Sequence, residues 1–346
     1  MSLIIPTPSQ AAFRSLLAPM RAAVHRRAEF ESHLLAHYIE YSRDDALRTA
    51  LEHLVTALGA AAEHGKETSL GIVSLVGPPR TGKTEALLKV LKELFGSDNK
   101  SVRYVKAPSS CTLRQFARTV LDSLNYPTQD SMQENEAWRK ARKQLVTSGT
   151  LILVVDELNN VLTSSAADQM NLRKALKGLV QMVDWPMGLV LGGVDAVSLF
   201  LGQDRQIEGR SETVEFAPLS FPKDCELVEK TVREVIEDHA RMDSAELITD
   251  DFVHRLIVAM RGSLGAIITL TRSAILIAYD RSGEGATVGW ADFAASYRAQ
   301  TVAERSQNLF LVKDWTNIDP RNSRSRSYHE ADVTQTSSKK QKTGAK

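Results

Sequence analysis

Apolar positions along this chain follow two rhythms. Short apolar runs recur at 70–76, 102–106, 151–157, 188–193 and 214–216, and these are predicted strands. Helical spacing separates them, at 84–95, 112–124, 134–146 and 167–183. Upstream, Leu47, Leu51, Leu54, Val55 and Leu58 share one face of a helix beginning near Asp44, with Ser42 or Asp44 as its cap and a loop at 65–69 after it. Residues 1–42 read as a short helical lead-in interrupted by Arg21, His25, Arg26 and Arg27. After Pro222 only helical patterns follow, at 223–242, 249–261, 264–281 and 290–305. From Asn317 the chain is polar and basic and is expected to be disordered. Just before it, Leu309, Phe310, Leu311 and Trp315 form an apolar cluster that either docks back on the helices or recruits a partner. Strands apolar throughout and alternating with helices imply an α/β fold, a doubly wound parallel sheet covered on both faces, followed by an all-helical C-terminal domain.

Composition narrows this picture only slightly. The 346 residues are 43% hydrophobic, enough for a sizeable core, and the net charge is +1, so any nucleic-acid surface must be local. Two cysteines, Cys111 and Cys225, have neither metal-like nor disulfide-framework spacing, which suits a reducing cytoplasm. No run of about 18 apolar residues suggests a membrane span. Residues 1–10 lack the pattern of a signal peptide.

Chemistry concentrates in two places. Gly77-Pro78-Pro79-Arg80-Thr81-Gly82-Lys83-Thr84 fits G-x-x-x-x-G-K-[ST] and lies between a predicted strand and a predicted helix. Such a loop wraps a polyphosphate with backbone N–H groups at a helix N-terminus, continuing to Glu85 in the first turn. Lys83 would reach the β- and γ-phosphates of ATP, and the Thr84 hydroxyl would hold Mg²⁺. About 70 residues later the third strand ends in Asp156 and Glu157. Asp156 is expected to hold the metal and Glu157 to orient or deprotonate water, so the pair points to hydrolysis. In the segment 203–216, Arg210 or Arg205 is a candidate arginine finger acting in trans on a neighbouring subunit, against the plain alternative of a solvated arginine.

The order of these features resembles the AAA+ ATPases, and within them the TniB/TnsC family of transposition ATPases. The residues carrying the resemblance are GPPRTGKT, LILVVDELNNVL, LVLGGVDAVSLFL and DRQIEGRSETVEFAPLSF, with YSRDDALRTALEHL upstream. It implies a helical lead-in at 1–64, an AAA+ P-loop core at 65–220, a helical lid at 221–306, and a partner-binding segment with a basic tail at 307–346. It further implies an ATP- and Mg²⁺-dependent ATPase that forms a homo-oligomeric ring or filament on double-stranded DNA. Its partners would be a DDE-type transposase and a target-selector protein. Other AAA+ classes, a replication initiator or helicase loader, stay open, as does a nucleotide-gated switch without DNA. One departure stands out: the fourth strand ends in Gly192-Gly193-Val194-Asp195, leaving only Asp195 where a polar sensor is usual, and Arg261 and Arg272 are the sensor-2 candidates. Slow hydrolysis is the expectation.

Sequence-independent phosphate contacts are expected in two basic stretches. One follows the second strand, with Lys106, Ser109, Ser110, Thr112 and Arg114. The other is the helical run 139–143, with Lys140 and Lys143, which a solvated helix face would explain equally.

Overall fold

The computed structural model describes residues 8–320 except 98, 110, 163–164, 245 and 302, so the basic tail and Ser110 lie outside the described residues. Three helices come first, α1 (Pro8–Leu17), α2 (Ala22–Ala36) and α3 (Ser42–His64). Strand β1 (Ile72–Val76) and helix α4 (Lys83–Phe95) follow, then β2 (Val102–Lys106), α5 (Leu113–Ser123) and α6 (Glu134–Thr147). Next are β3 (Ile152–Asp156), α7 (Asn159–Leu162), α8 (Ala166–Val180) and β4 (Gly188–Gly193). The short helices α9 (Ala196–Gly202) and α10 (Arg205–Glu208) lead to β5 (Ser211–Glu215). The remainder is helical: α11 (Cys225–Arg233), a π-helical turn (Glu234–His239), α12 (Asp250–Ala259), α13 (Leu264–Ser282) and α14 (Trp290–Gln300). Contacts divide the chain into two units, 40–218 and 1–39 with 219–346.

The first unit is a five-stranded sheet in the order β2-β3-β4-β1-β5, every pair parallel. Central strands β1, β3 and β4 are buried at every position, which is why their sequences lack the polar alternation of a one-sided sheet. Successive side chains still alternate between faces. Ile72, Val76, Leu153, Val155, Leu189 and Leu191 join a core with α5, α6 and α8. Val73, Leu75, Ile152, Val154 and Val190 join a second core with α3 and α4, through Leu47, Leu51, Leu54 and Leu87. Edge strands β2 and β5 are only partly buried.

Three local expectations need correcting. Tyr41, not Ser42 or Asp44, is the cap of α3; Asp44 sits at the third helical position, where its carboxylate accepts the Tyr41 N–H at 3.3 Å. The fifth strand starts three residues earlier than its apolar run, because an edge strand tolerates the polar Ser211-Glu212-Thr213. The helix expected over 223–242 is broken into α11 and a π-helical turn.

In the second unit α2 packs on α13, with Phe30 stacked on Tyr279 at 4.3 Å and Arg27 paired with Asp280 at 2.9 Å. Phe252, Phe293, Tyr297 and Phe310 form its aromatic centre. The apolar stretch after α14 lies on this unit: Leu309, Phe310 and Trp315 are buried, while Leu311 is exposed. Arg255 on α12 anchors it by donating to the Leu309 and Val312 carbonyls, and Trp315 Nε1 donates to Asp251 at 3.1 Å. Among the described residues no single helix is long and apolar enough to cross a membrane.

Candidate nucleotide site

The turn after β1 is shaped by what does not fit there. At Gly77 (φ 153°) a Cβ would lie 2.4 Å from the Phe216 carbonyl oxygen, because Phe216 N–H donates to Val76 O at 2.7 Å and draws the strand after β5 against the loop. Only glycine can stand there. Arg80 (φ 64°) and Gly82 (φ 93°) then turn the chain into α4, where Gly82 is an N-cap with no side chain to occupy the helix N–H groups. The Thr81 hydroxyl donates to Pro78 O at 2.9 Å and is buried, bracing the loop from inside. Pro79, Arg80 and Glu85 face outward.

Lys83 Nζ donates to Gly77 O at 2.8 Å and Pro78 O at 2.7 Å, so the ammonium is held under the loop. Burial lowers its pKa, and Glu157, Asp156 and Asp195 oppose that shift. Two strands away, at the end of β3, Asp156 is 2% exposed and fully engaged. Its Oδ2 accepts the Thr84 hydroxyl at 2.7 Å and the Tyr104 hydroxyl at 2.9 Å, and its Oδ1 accepts the Glu157 N–H at 2.9 Å. Burial, and then the neighbouring Asp156 charge, push the Tyr104 phenol well above its ordinary pKa, so it remains a donor. Glu157 itself has a left-handed backbone (φ 56°), unusual for a side chain of its size.

Thr84 and Asp156 present a hydroxyl and a carboxylate side by side, an all-oxygen donor set that suits a hard divalent cation such as Mg²⁺. The glycine cradle at the helix N-terminus suits phosphate. Both requirements of a metal–nucleotide complex are therefore met by residues of this chain.

The structure also explains the missing polar group at the end of β4. A Cβ at Gly192 would lie 2.9 Å from Asp156 Oδ1, and one at Gly193 would lie 2.6 Å from Val197 Cγ2 and 2.9 Å from Asn159 Oδ1. There is no room for a side chain. Asn159 reaches that strand end from the start of α7, so a side-chain polar atom beside Gly193 comes from α7 and not from β4. Asp195 is exposed one turn further on. Sequence reasoning missed both Tyr104 and Asn159; the only signals were a polar aromatic two residues before the end of β2 and the asparagines after the acid pair.

Other candidates stand apart. Arg210 is at the start of β5, at the opposite end of the sheet from the loop, where its backbone carbonyl accepts the Gly71 and Ile72 N–H groups. Its guanidinium donates to Thr68 O at 2.9 Å and pairs with Glu67. Arg205, on α10, is exposed. Arg272 donates to His37 O at 2.6 Å and Arg261 to Pro320 O at 3.3 Å, both within the helical unit. Lys106, Ser109 and Arg114 are exposed at the C-terminal end of β2, while the Thr112 hydroxyl caps α5 by accepting the Gln115 N–H at 3.2 Å. Lys140 is committed to Glu136 at 2.8 Å on α6, and Lys143 lies a turn further toward the opposite end of the sheet. Among the described residues the two predicted basic stretches thus stay separate, one after β2 and one on α6.

The family model for the bacterial TniB protein matches residues 35–220, which take in α3 and the whole sheet. The chain belongs to the TniB family. No curated protein matches it. Among solved structures, Cdc6p from Pyrobaculum aerophilum aligns at 16% identity and TM-score 0.52, over 72% of this chain and 65% of that one. The Aeropyrum pernix ORC2 protein aligns at 13% and 0.52, over 76% and 69%. The Aeropyrum pernix ORC1 protein, solved in complex with DNA, aligns at 20% and 0.51, over 75% and 65%. The TniB chain thus spans about two thirds of the length of these neighbours, and at such identity the likeness concerns the AAA+ fold alone.

Proposed function

We propose that this protein is an ATP-hydrolysing, DNA-binding regulator of DNA transposition, which assembles on double-stranded target DNA and recruits or activates a DDE-type transposase. The observation that carries the reading is the Thr84–Asp156–Glu157 constellation beside Lys83, in a chain of the TniB family. Residues 65–220 would serve as the nucleotide core and 221–306 as its lid.

Lys83 and the N–H groups opening α4 would bind the β- and γ-phosphates of ATP, Lys83 exchanging loop carbonyls for phosphate oxygens. Thr84 and Asp156 would hold Mg²⁺, which supplies charge neutralisation on the phosphates. Tyr104 keeps Asp156 turned toward Thr84. Glu157, raised by its left-handed backbone at the mouth of the site, would take the proton of the attacking water. With β4 ending in glycines, no side chain of that strand contacts the γ-phosphate, which supports slow turnover and a timing role.

Mutation separates these roles. Lys83→Ala should abolish nucleotide binding, whereas Glu157→Gln should bind normally and turn over at least about a hundredfold more slowly. Turnover by Glu157→Gln at the parent rate would refute the water-activating role. Filter binding with an ATP analogue should show DNA affinity that needs nucleotide, ignores sequence and falls steeply with salt, with Arg114→Ala flattening the slope. The fold shared with Cdc6p and the ORC proteins favours a replication-initiator reading as the alternative. Stimulation of strand transfer by a DDE-type transposase distinguishes the two, and failure to bind DNA with ATP would leave a nucleotide-gated switch.

A further inference from the structure

Of the basic run on α6, Arg139, Arg142 and Lys143 line a cleft of about 730 Å³ between the C-terminal half of α6 and the connection from α8 to β4. Both walls lead into strand starts, Ile152 of β3 and Gly188 of β4, so the cleft lies at the end of the sheet opposite the phosphate loop. Beside the cations the lining has an apolar part, Val146 from α6 and Met182, Val183 and Trp185 from the connection. Val183 is 42% exposed, so its side chain is open to a partner at this cleft.

The lining is held in place from beneath. Trp185 Nε1 donates to Thr150 O at 2.7 Å, fixing the indole, and Arg142 Nε lies 2.9 Å from the buried Met182 sulfur. Neighbouring Lys140 is neutralised by Glu136, whereas Arg139 and Lys143 are exposed and form no ion pair among the described residues. The one acid in the lining, Asp184, is exposed at its edge.

We infer that this cleft is a docking site for a short acidic segment of a partner protein, with an apolar side chain seated on Val183 and Trp185 and flanking carboxylates on Arg139 and Lys143. Charge complementarity selects the occupant's sign, because three cations face one carboxylate. The apolar wall selects peptide over DNA: a duplex backbone offers phosphates on a hydrophilic surface and would leave Val146, Val183 and Trp185 uncovered, with Asp184 repelling it. The inference stands independently of the ATPase reading, since none of these residues belongs to the nucleotide site.

The test is selection from a phage-displayed library of random peptides about twelve residues long. The parent protein serves as bait, and Arg139→Glu/Lys143→Glu serves for counter-selection. Peptides enriched on the parent should combine Asp or Glu with Leu, Phe or Trp. Synthesised and measured by fluorescence anisotropy, they should lose about tenfold or more in affinity for the charge-reversed protein and for Val183→Glu. Thermal melting and binding of a fluorescent ADP analogue should match the parent, showing that the fold persists. Absence of enrichment, or enrichment of peptides without acidic residues, would overturn the inference. So would loss of affinity by the double variant for duplex DNA and not for peptide, or a parent oligomer that dissociates on charge reversal without peptide present.

Discussion

Asp156 is the residue on which the site turns. It accepts three hydrogen bonds, from Thr84, Tyr104 and the Glu157 backbone, and is almost entirely removed from water. A carboxylate so placed cannot rotate to follow a metal, so its direction depends on Tyr104 as much as on Thr84. Tyr104→Phe keeps the ring and removes one hydrogen bond to a charged acceptor, worth about 1.5–3 kcal/mol. If Mg²⁺ supports activity here, the concentration giving half-maximal ATP turnover should rise by about tenfold, with fluorescent-ADP binding in EDTA and the melting temperature unchanged. An unaltered Mg²⁺ requirement would show that Thr84 and the backbone hold Asp156 unaided. The glycines at 77, 192 and 193 show the same principle in reverse, each placed where a Cβ would strike an atom the site requires.

Among the elements, α3 does more than its position before the loop suggests. Its apolar stripe, Leu47, Leu51, Leu54 and Leu58, covers one face of the sheet beside α4. Leu54 and Leu58 come so close to β4 that a Cβ on Gly188 would lie 3.0 Å from each. Leu54→Ala should therefore cost about 2–5 kcal/mol in urea unfolding, because the sheet beneath cannot move into the space. A loss below 1 kcal/mol would mean that α3 is peripheral to this core. The strands and long helices of the sheet unit were legible because their burial writes itself as apolar runs and a 3.6-residue period. The short helices α7, α9 and α10 were not, since four to seven residues give no period to read.

For the whole molecule, the proposed assembly calls for an arginine that serves a neighbouring subunit, and two are candidates. Arg210 is tied to Glu67 and Thr68 O in its own chain, whereas Arg205 is exposed on α10. Arg205→Ala should lower ATP turnover and nucleotide-dependent assembly together, and mixing it with Lys83→Ala subunits should recover activity, since some interfaces then pair an intact arginine with an intact loop. Arg210→Ala should chiefly lower thermal stability. If instead only the Arg210→Ala mixture recovers activity, Arg210 leaves Glu67 on assembly and is the trans residue.

Sequence alone determined the parallel α/β core, the helical remainder and the residues of the loop and acid pair, because backbone hydrogen bonding and burial on two faces permit few patterns and phosphate binding permits few turns. It also carried the resemblance that the family match upholds. Only the tertiary structure decided which atoms meet. Strand order places Tyr104 of β2 on Asp156 of β3, although 52 residues separate them. The same packing brings Asn159 to the end of β4 and anchors the stretch from Leu309 to Trp315 on the helical unit. It also sets Arg139 and Lys143 of α6 beside the connection from α8 to β4, while Lys106 and Arg114 lie at the other end of the sheet. These are contacts across distant segments, fixed by how side chains of particular size fill shared space, and no local pattern of residues encodes them.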